Sequence, residues 1–279
     1  MKQGFAKVAS ATPRIRVADP VYNAQVICEQ AKEAAEHGAK IVVFPELCIT
    51  GYTCNDLFLQ ELLLEKAKEA LLTIAEETGQ LETLFLVGLP VDKDGRLYNV
   101  AAVLYRGRIL GMIPKKNIPM YAEFYEGRHF TPGEETVTEY RLGKQVIPFG
   151  SNLLFRCEEL PELILGCELC EDLWVAEPPS TSHALMGATV IANLSASNET
   201  VSKDDYRTLL IKASSARLLC GYIYTSAGEG ESTQDLVFGG HDLIAENGTL
   251  LVQSARFTTG ILYTDLDVLK ISSERRRMG

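Results

Sequence analysis

His37-Gly38-Ala39-Lys40-Ile41-Val42-Val43-Phe44-Pro45-Glu46-Leu47 is the stretch on which the fold turns. Gly38 is the residue expected just past a helix end, because glycine takes the left-handed backbone without a Cβ clash. Ile41 to Phe44 is short, β-branched and unalternated, as a strand buried on both faces must be. Upstream, Asp19-Pro20 supplies a capping side chain with Pro at the first helical position, and Ala24, Ile27, Cys28, Ala31 and Ala35 keep helical spacing. Lys7 to Ser10 reads as a strand before that helix. The first 45 residues therefore predict a β-α-β unit, and Glu46 falls just beyond its second strand.

The same grammar continues outward. Asp56 to Thr78 predicts an amphipathic helix, Leu84 to Leu89 a strand, and Tyr98 to Ile113 a hairpin turning at Arg106-Gly107. The strand Leu163 to Cys167 runs straight into Glu168-Leu169-Cys170-Glu171-Asp172. Met186-Gly187-Ala188 then leads into a strand from Thr189 to Leu194, echoing His37-Gly38-Ala39. After a helix over Asp204 to Leu219 come strands at Tyr222 to Ser226, Leu236 to Ile244 and Thr249 to Ser254, with Glu246-Asn247-Gly248 as a turn. The echo suits two similar halves whose sheets pack face to face with helices outside. No Pro/Gly/Ser-rich linker divides the chain, and its last ten or so residues read as a helix heading elsewhere.

Composition narrows the function classes. Of 279 residues, 46% are hydrophobic and 23% charged, near the globular average. The formal charge of −10 argues against a nucleic-acid partner, which needs clustered Lys and Arg. The basic end, Glu274-Arg275-Arg276-Arg277, reads as a solvated helix terminus. MKQGFAKVAS lacks a signal-peptide core, and no apolar run approaches the roughly 18 residues of a membrane helix. A soluble, cytoplasmic enzyme is the expectation. The seven Cys, an odd number, then read as reduced thiols, and the sequons at Asn193, Asn198 and Asn247 carry no weight. There is no Walker loop and no dinucleotide-binding glycine fingerprint.

Reactive residues cluster where strands end, the place that carries function in open α/β folds. Glu46, behind a Pro that fixes the backbone, can be held partly desolvated as a general base; it could equally cap a helix or face solvent. In Ile113-Pro114-Lys115-Lys116-Asn117-Ile118-Pro119 either lysine could be rigidly presented, or both could be solvated. Cys170 at a sharp strand exit can pair a nucleophilic sulfur with backbone N–H groups. It could instead form a redox dithiol with Cys167, contribute to a zinc site, or pack in the core. Zinc would need a second pair at similar spacing, and Cys48 and Cys54 lack a companion His.

Taken together and in order, Phe44-Pro45-Glu46-Leu47, then Pro114-Lys115, then Cys170-Glu171-Asp172-Leu173-Trp174 resemble the Glu–Lys–Cys triad of the nitrilase, or carbon–nitrogen hydrolase, superfamily. The agreement is closer with the glutaminase domains of glutamine-dependent NAD synthetases. It extends through Phe44 to Tyr52, Tyr121-Ala122-Glu123-Phe124-Tyr125-Glu126, Ala192 to Ser197 and Ala227 to Thr233. The resemblance implies a four-layer αββα sandwich over residues 1–269, with residues 270–279 beginning a linker. It implies Glu46 as base, Lys115 rather than Lys116 as electrostatic stabiliser, and Cys170 as nucleophile. A Lys ammonium beside the sulfur is expected to favour thiolate, with Lys115 and the Glu171 N–H holding the oxyanion. Tyr52, Tyr121, Glu126, Glu171, Ser197 and Lys203 match positions near the catalytic Lys or lining a glutamine pocket. Lys203 departs from the family if relatives use Arg there, since a point charge lacks bidentate geometry. The implied substrate is L-glutamine, and the implied partner an ATP-dependent synthetase domain that receives ammonia. The resemblance implies no cofactor or metal for the amidase step, ATP and Mg belonging to that domain, and commonly a homo-oligomer. The synthetase loop has a Ser-Gly-Gly-x-Asp-Ser character; Phe238-Gly239-Gly240-His241-Asp242 lacks both serines, so the chain reads as the ammonia-donating part alone. A free-standing ω-amidase, carbamoylase or nitrilase is the rival expectation.

Overall fold

The computed structural model describes residues 3–278. The chain begins β1 (Phe5–Thr12), α1 (Pro20–Glu36), β2 (Ile41–Val43), α2 (Glu61–Glu77), β3 (Leu84–Lys93), β4 (Arg96–Tyr105) and β5 (Arg108–Pro114). It continues through β6 (Thr138–Leu142), β7 (Gln145–Phe149), β8 (Phe155–Arg156), β9 (Ile164–Leu169), α3 (Pro179–Leu185) and β10 (Val190–Ser195). The remainder is α4 (Lys203–Leu218), β11 (Gly221–Ser226), β12 (Leu243–Glu246), β13 (Thr249–Gln253), β14 (Gly260–Asp267) and α5 (Val268–Met278). Among the described residues the strands form an eight-stranded sheet, β14-β1-β2-β3-β4-β5-β7-β6, and a six-stranded sheet, β13-β12-β11-β10-β9-β8.

Local chemistry starts and stops these elements. The Asp19 side chain accepts the Tyr22 N–H at 3.1 Å and caps α1, whose end is marked by Gly38 at φ +83°. Ala34, rather than the expected Ala35, completes the buried stripe of that helix. The β4–β5 hairpin turns at Arg106-Gly107, both with positive φ, as a two-residue turn between right-twisted strands requires.

Four layers result. Val8, Ile41, Val43, Leu86 and Val103 of the first sheet pack against Leu165, Cys167, Val190, Ala192 and Ile223 of the second. The outer face of the first sheet, with Val42, Phe85 and Val87, takes Ile27, Ala31, Leu71 and Ile74 of α1 and α2. The outer face of the second, with Ile191, Tyr222 and Leu243, takes Ile211 of α4. The αββα expectation stands.

Several boundaries differ from the sequence reading. Asp56 to Thr78 is broken: a 3₁₀ turn spans Asn55–Leu59 and the helix starts only at Glu61, because Gln60 is extended. Leu236 to Ile244 is mostly loop, bent where Gly240 adopts φ +57°, and the strand begins at Leu243. The closing strand β14 pairs antiparallel with β1 from Phe5–Asp267 to Thr12–Gly260. The last helix does not head away. Val268 and Ile271 are buried, and Arg275 donates to the carbonyls of Leu218 at 2.9 Å and Leu219 at 2.8 Å.

The strands β1, β2 and β3 run parallel, as do β9, β10 and β11. Their carboxyl ends meet at one rim of the sandwich, where the Glu46 N–H donates to Ser195 O at 3.3 Å.

Candidate active site

The rim holds a buried ion cluster. Glu46 follows β2, Lys115 follows β5, and Glu126 opens a 3₁₀ turn over Glu126–Arg128. The Lys115 ammonium donates to Glu46 Oε1 and to Glu126 Oε1, each at 2.6 Å, and both Glu46 and Lys115 are fully buried. Lys116, by contrast, pairs with Glu135 at the surface, so the structure separates the two lysines. The Tyr52 hydroxyl donates to Glu126 Oε1 at 2.8 Å, and the Asn99 amide donates to Glu46 Oε1 at 2.7 Å. Glu46 Oε2 accepts the Ala196 N–H at 2.9 Å. Burial works against the Lys115 charge, but Glu126 and Glu46 outweigh it and hold its pKa well above the ordinary value. Burial pushes Glu126 up, while Lys115 opposes the shift.

Close backbone approach makes this geometry available. A Cβ on Gly88 of β3 would lie 2.3 Å from Leu47 N and 2.6 Å from Pro45 O, so only glycine lets the Glu46 loop rest on the strand.

Cys170 stands where β9 passes into a 3₁₀ turn, Cys170–Leu173, with φ +39°, a region that L-residues rarely adopt. Asp172 fixes this turn. Its Oδ2 accepts the Leu169 N–H at 3.0 Å, and its Oδ1 accepts the Asn117 backbone and side-chain N–H groups, both at 2.8 Å. The Cys170 turn is thereby tied to the loop that carries Lys115. Burial raises the Asp172 pKa to about 6. The Cys170 thiol is buried and lies within the fields of Glu46, Lys115 and Glu126, with the Ala196 N–H as its backbone donor. Burial first, then the Glu46 carboxylate, push its pKa up more than Lys115 lowers it. The carboxylates and the ammonium around the sulfur act on it in opposite senses, so the three groups titrate as one unit. Cys167 belongs to the packing between the sheets, and both cysteines are free thiols.

The other expected pocket residues surround this centre. The Tyr121 hydroxyl donates to both carboxylate oxygens of Glu171, at 3.1 and 3.0 Å. The Lys203 ammonium bonds the Asn198 side chain and lies over the rings of Trp174 and Phe124, 5.2 and 5.5 Å from their centroids. Its burial lowers the Lys203 pKa. Ser197 is buried, its Oγ accepting from Arg207 at 3.2 Å.

Sequence reasoning missed Asn99, Asn198, Asp172 and Arg207. Asn99 had a signal, a lone polar residue inside the apolar run of β4. Arg207 had none, because an Arg on α4 looks like a solvated helix residue. It is in fact fully buried, donating to Glu199 Oε1 at 2.8 Å and Asn198 O at 3.1 Å and bonded to His241 Nδ1 at 2.9 Å. Among the described residues no group of three or more His, Cys, Asp or Glu side chains is placed to hold a metal.

A family profile described as carbon-nitrogen hydrolase matches residues 7–276. The chain belongs to the carbon-nitrogen hydrolase family. It is 42% identical over 280 residues to the glutamine-dependent NAD(+) synthetase of Mycobacterium tuberculosis, a match covering 100% of this chain and 41% of that protein. It is 30% identical over 260 residues to the synthetase of Aquifex aeolicus, covering 93% of this chain and 42% of that one. The chain thus spans about two fifths of the length of these curated relatives. Among solved structures, a glutamine-dependent NAD(+) synthetase from Cytophaga hutchinsonii superposes with TM-score 0.85 at 28% identity, over 94% of this chain and 43% of that one. An amidase from Nesterenkonia sp. superposes with TM-score 0.74 at 21% identity, over 100% of this chain and 97% of that one, which speaks to the fold alone. The family match reaches into α5, the segment expected to begin a linker.

Proposed function

We propose that the chain hydrolyses the side-chain amide of L-glutamine through a Cys170 thioester and supplies the ammonia to an ATP-dependent NAD synthetase unit. The observation that carries this is the Lys115 ammonium clamped between two buried carboxylates within electrostatic reach of Cys170. Names and coverage of the relatives support the choice of glutamine and of the acceptor.

Catalysis starts from a neutral thiol. Glu46 takes the Cys170 proton as sulfur bonds the amide carbon. The carbonyl oxygen gains negative charge opposite the Lys115 N–H not bound to carboxylate and the Glu171 N–H. The proton passes from Glu46 to the amide nitrogen, the carbon–nitrogen bond breaks, and ammonia leaves. Water, deprotonated by Glu46, then cleaves the thioester and restores the thiol. Lys203 receives the α-carboxylate of the substrate, with Tyr52, Tyr121, Glu126, Glu171 and Ser197 shaping the pocket around it. The amidase step needs no cofactor; ATP and Mg act in the synthetase unit. The family resemblance also suggests a cytoplasmic homo-oligomer. No helix among the described residues is long and apolar enough to cross a membrane.

A second reading, a free-standing amidase, rests on the full-length match in fold to the Nesterenkonia amidase. Ammonia release separates the two. Hydrolysis of glutamine, with N-carbamoyl amino acids and nitriles untouched, supports the first; the reverse preference supports the second. Cys170→Ala should abolish ammonia release and labelling by an oxo-norleucine, with thermal unfolding within a few degrees of the parent. Retained turnover would move the nucleophile elsewhere.

A further inference from the structure

Glu46 is asymmetric in a way the triad alone does not explain. Its Oε1 accepts two strong donors, Lys115 Nζ at 2.6 Å and Asn99 Nδ2 at 2.7 Å. Its Oε2 accepts a single backbone N–H, from Ala196 at 2.9 Å. Asn99 also reaches Glu126 Oε2 at 3.4 Å, so one amide nitrogen spans both carboxylates. Its backbone joins in, because Lys115 N donates to Asn99 O at 2.8 Å. The fold leaves the Asn99 Oδ1 buried without a partner to achieve this. An amide turned the other way would satisfy neither carboxylate and would set an oxygen against two acceptors.

We infer that Asn99 is a positioning residue that, with Lys115, saturates Glu46 Oε1 and reserves Oε2 as the oxygen that takes the Cys170 proton. In that step the S–H bond breaks and an O–H bond forms at Oε2. Sulfur keeps the electron pair and spends it on the substrate carbon. Without the Asn99 donor, Glu46 can rotate and offer Oε1, and both carboxylates lose a hydrogen bond that favours their charged form. The titratable groups facing this carboxylate are Lys115 from the end of β5, Glu126 from its 3₁₀ turn, Cys170 from the end of β9 and Tyr52 from its own loop.

The assignment rests on the proposed amidase chemistry, so its test reads the proton transfer separately from glutamine turnover. Alkylation of Cys170 by iodoacetamide is followed against pH in the parent, Asn99→Leu and Asn99→Asp, with Cys170→Ala as the blank. The acid limb of the alkylation rate should move to higher pH in Asn99→Leu and further in Asn99→Asp. In parallel, kcat for glutamine should fall roughly 10- to 100-fold with KM little changed, the effect of losing one hydrogen bond to a charged group. If Asn99→Leu does not fold, the isosteric Asn99→Asp decides on its own. Unshifted limbs in a cooperatively folded variant would overturn the inference. A parent that alkylates with a pH limb but ignores glutamine would overturn the substrate and leave Asn99 standing.

Discussion

The rim of the sandwich buries two cations, Lys115 and Arg207, and they are arranged to opposite effect. Arg207 is a closed cluster: its two terminal nitrogens bond Glu199, His241, Ser197 and Asn198, leaving only Nε without a partner. Lys115 is open: an ammonium has three N–H groups, and two are taken by Glu46 and Glu126. A guanidinium whose four terminal N–H groups are all committed to neighbouring protein atoms holds structure in place. An ammonium one bond short can meet charge that develops during a reaction, which is the arrangement electrostatic catalysis requires. The lesson is that burial of a charge does not by itself single out a group for catalysis; what its remaining N–H can reach decides.

The sharpest way to break that contrast is Lys115→Met. It removes an oxyanion donor, worth about 10²–10³ in rate, and also the opposing field on the thiol, so ammonia release should drop below detection. It should also destabilise the fold by about 3–5 kcal/mol, because two carboxylates are left buried without a cation. Adding Glu126→Gln should recover part of the stability and none of the turnover; recovered turnover would show that Lys115 only neutralises. Arg207→Met should also destabilise, but less than the about 3–5 kcal/mol of a wholly unpaired buried charge, because Glu199 loses its 2.8 Å partner and keeps Arg256 at 3.8 Å. Its kinetic signature should differ: a raised KM from the loosened Ser197–Asn198 segment, with kcat reduced less. A pure kcat effect would make the two clusters alike after all. Lys203→Arg is the mildest test. Bidentate pairing with a substrate carboxylate should lower KM for glutamine severalfold at constant kcat. An unchanged KM would place the carboxylate elsewhere.

The part of the site that was legible in the sequence lies where backbone and side chain signal together. Glu46, Lys115 and Cys170 each follow a strand, and the first two sit directly behind Pro45 and Pro114, which constrain the chain locally. The layered fold was legible for the same reason, since β2 and β10 are unalternated apolar strands behind Gly-Ala turns. Arg207 and Asn198 were not legible, because their roles depend on contacts between α4 and the end of β10 that no local pattern records. The strand β14 was equally hidden: nearly all its residues are half-buried rather than alternating between buried and exposed, although one edge pairs with β1. The sequence shows the lysine near the thiol but not the burial of Cys170, nor that two carboxylates share Lys115.

Cys170 brings together two demands that ordinarily exclude each other. Its backbone sits at φ +39°, where glycine would be at ease, yet the position must carry a sulfur. The most comfortable residue for the site is thus one that would silence it. On the proposed mechanism the tension sits at the residue where the reaction begins, so relaxing it with glycine and losing the activity are the same substitution.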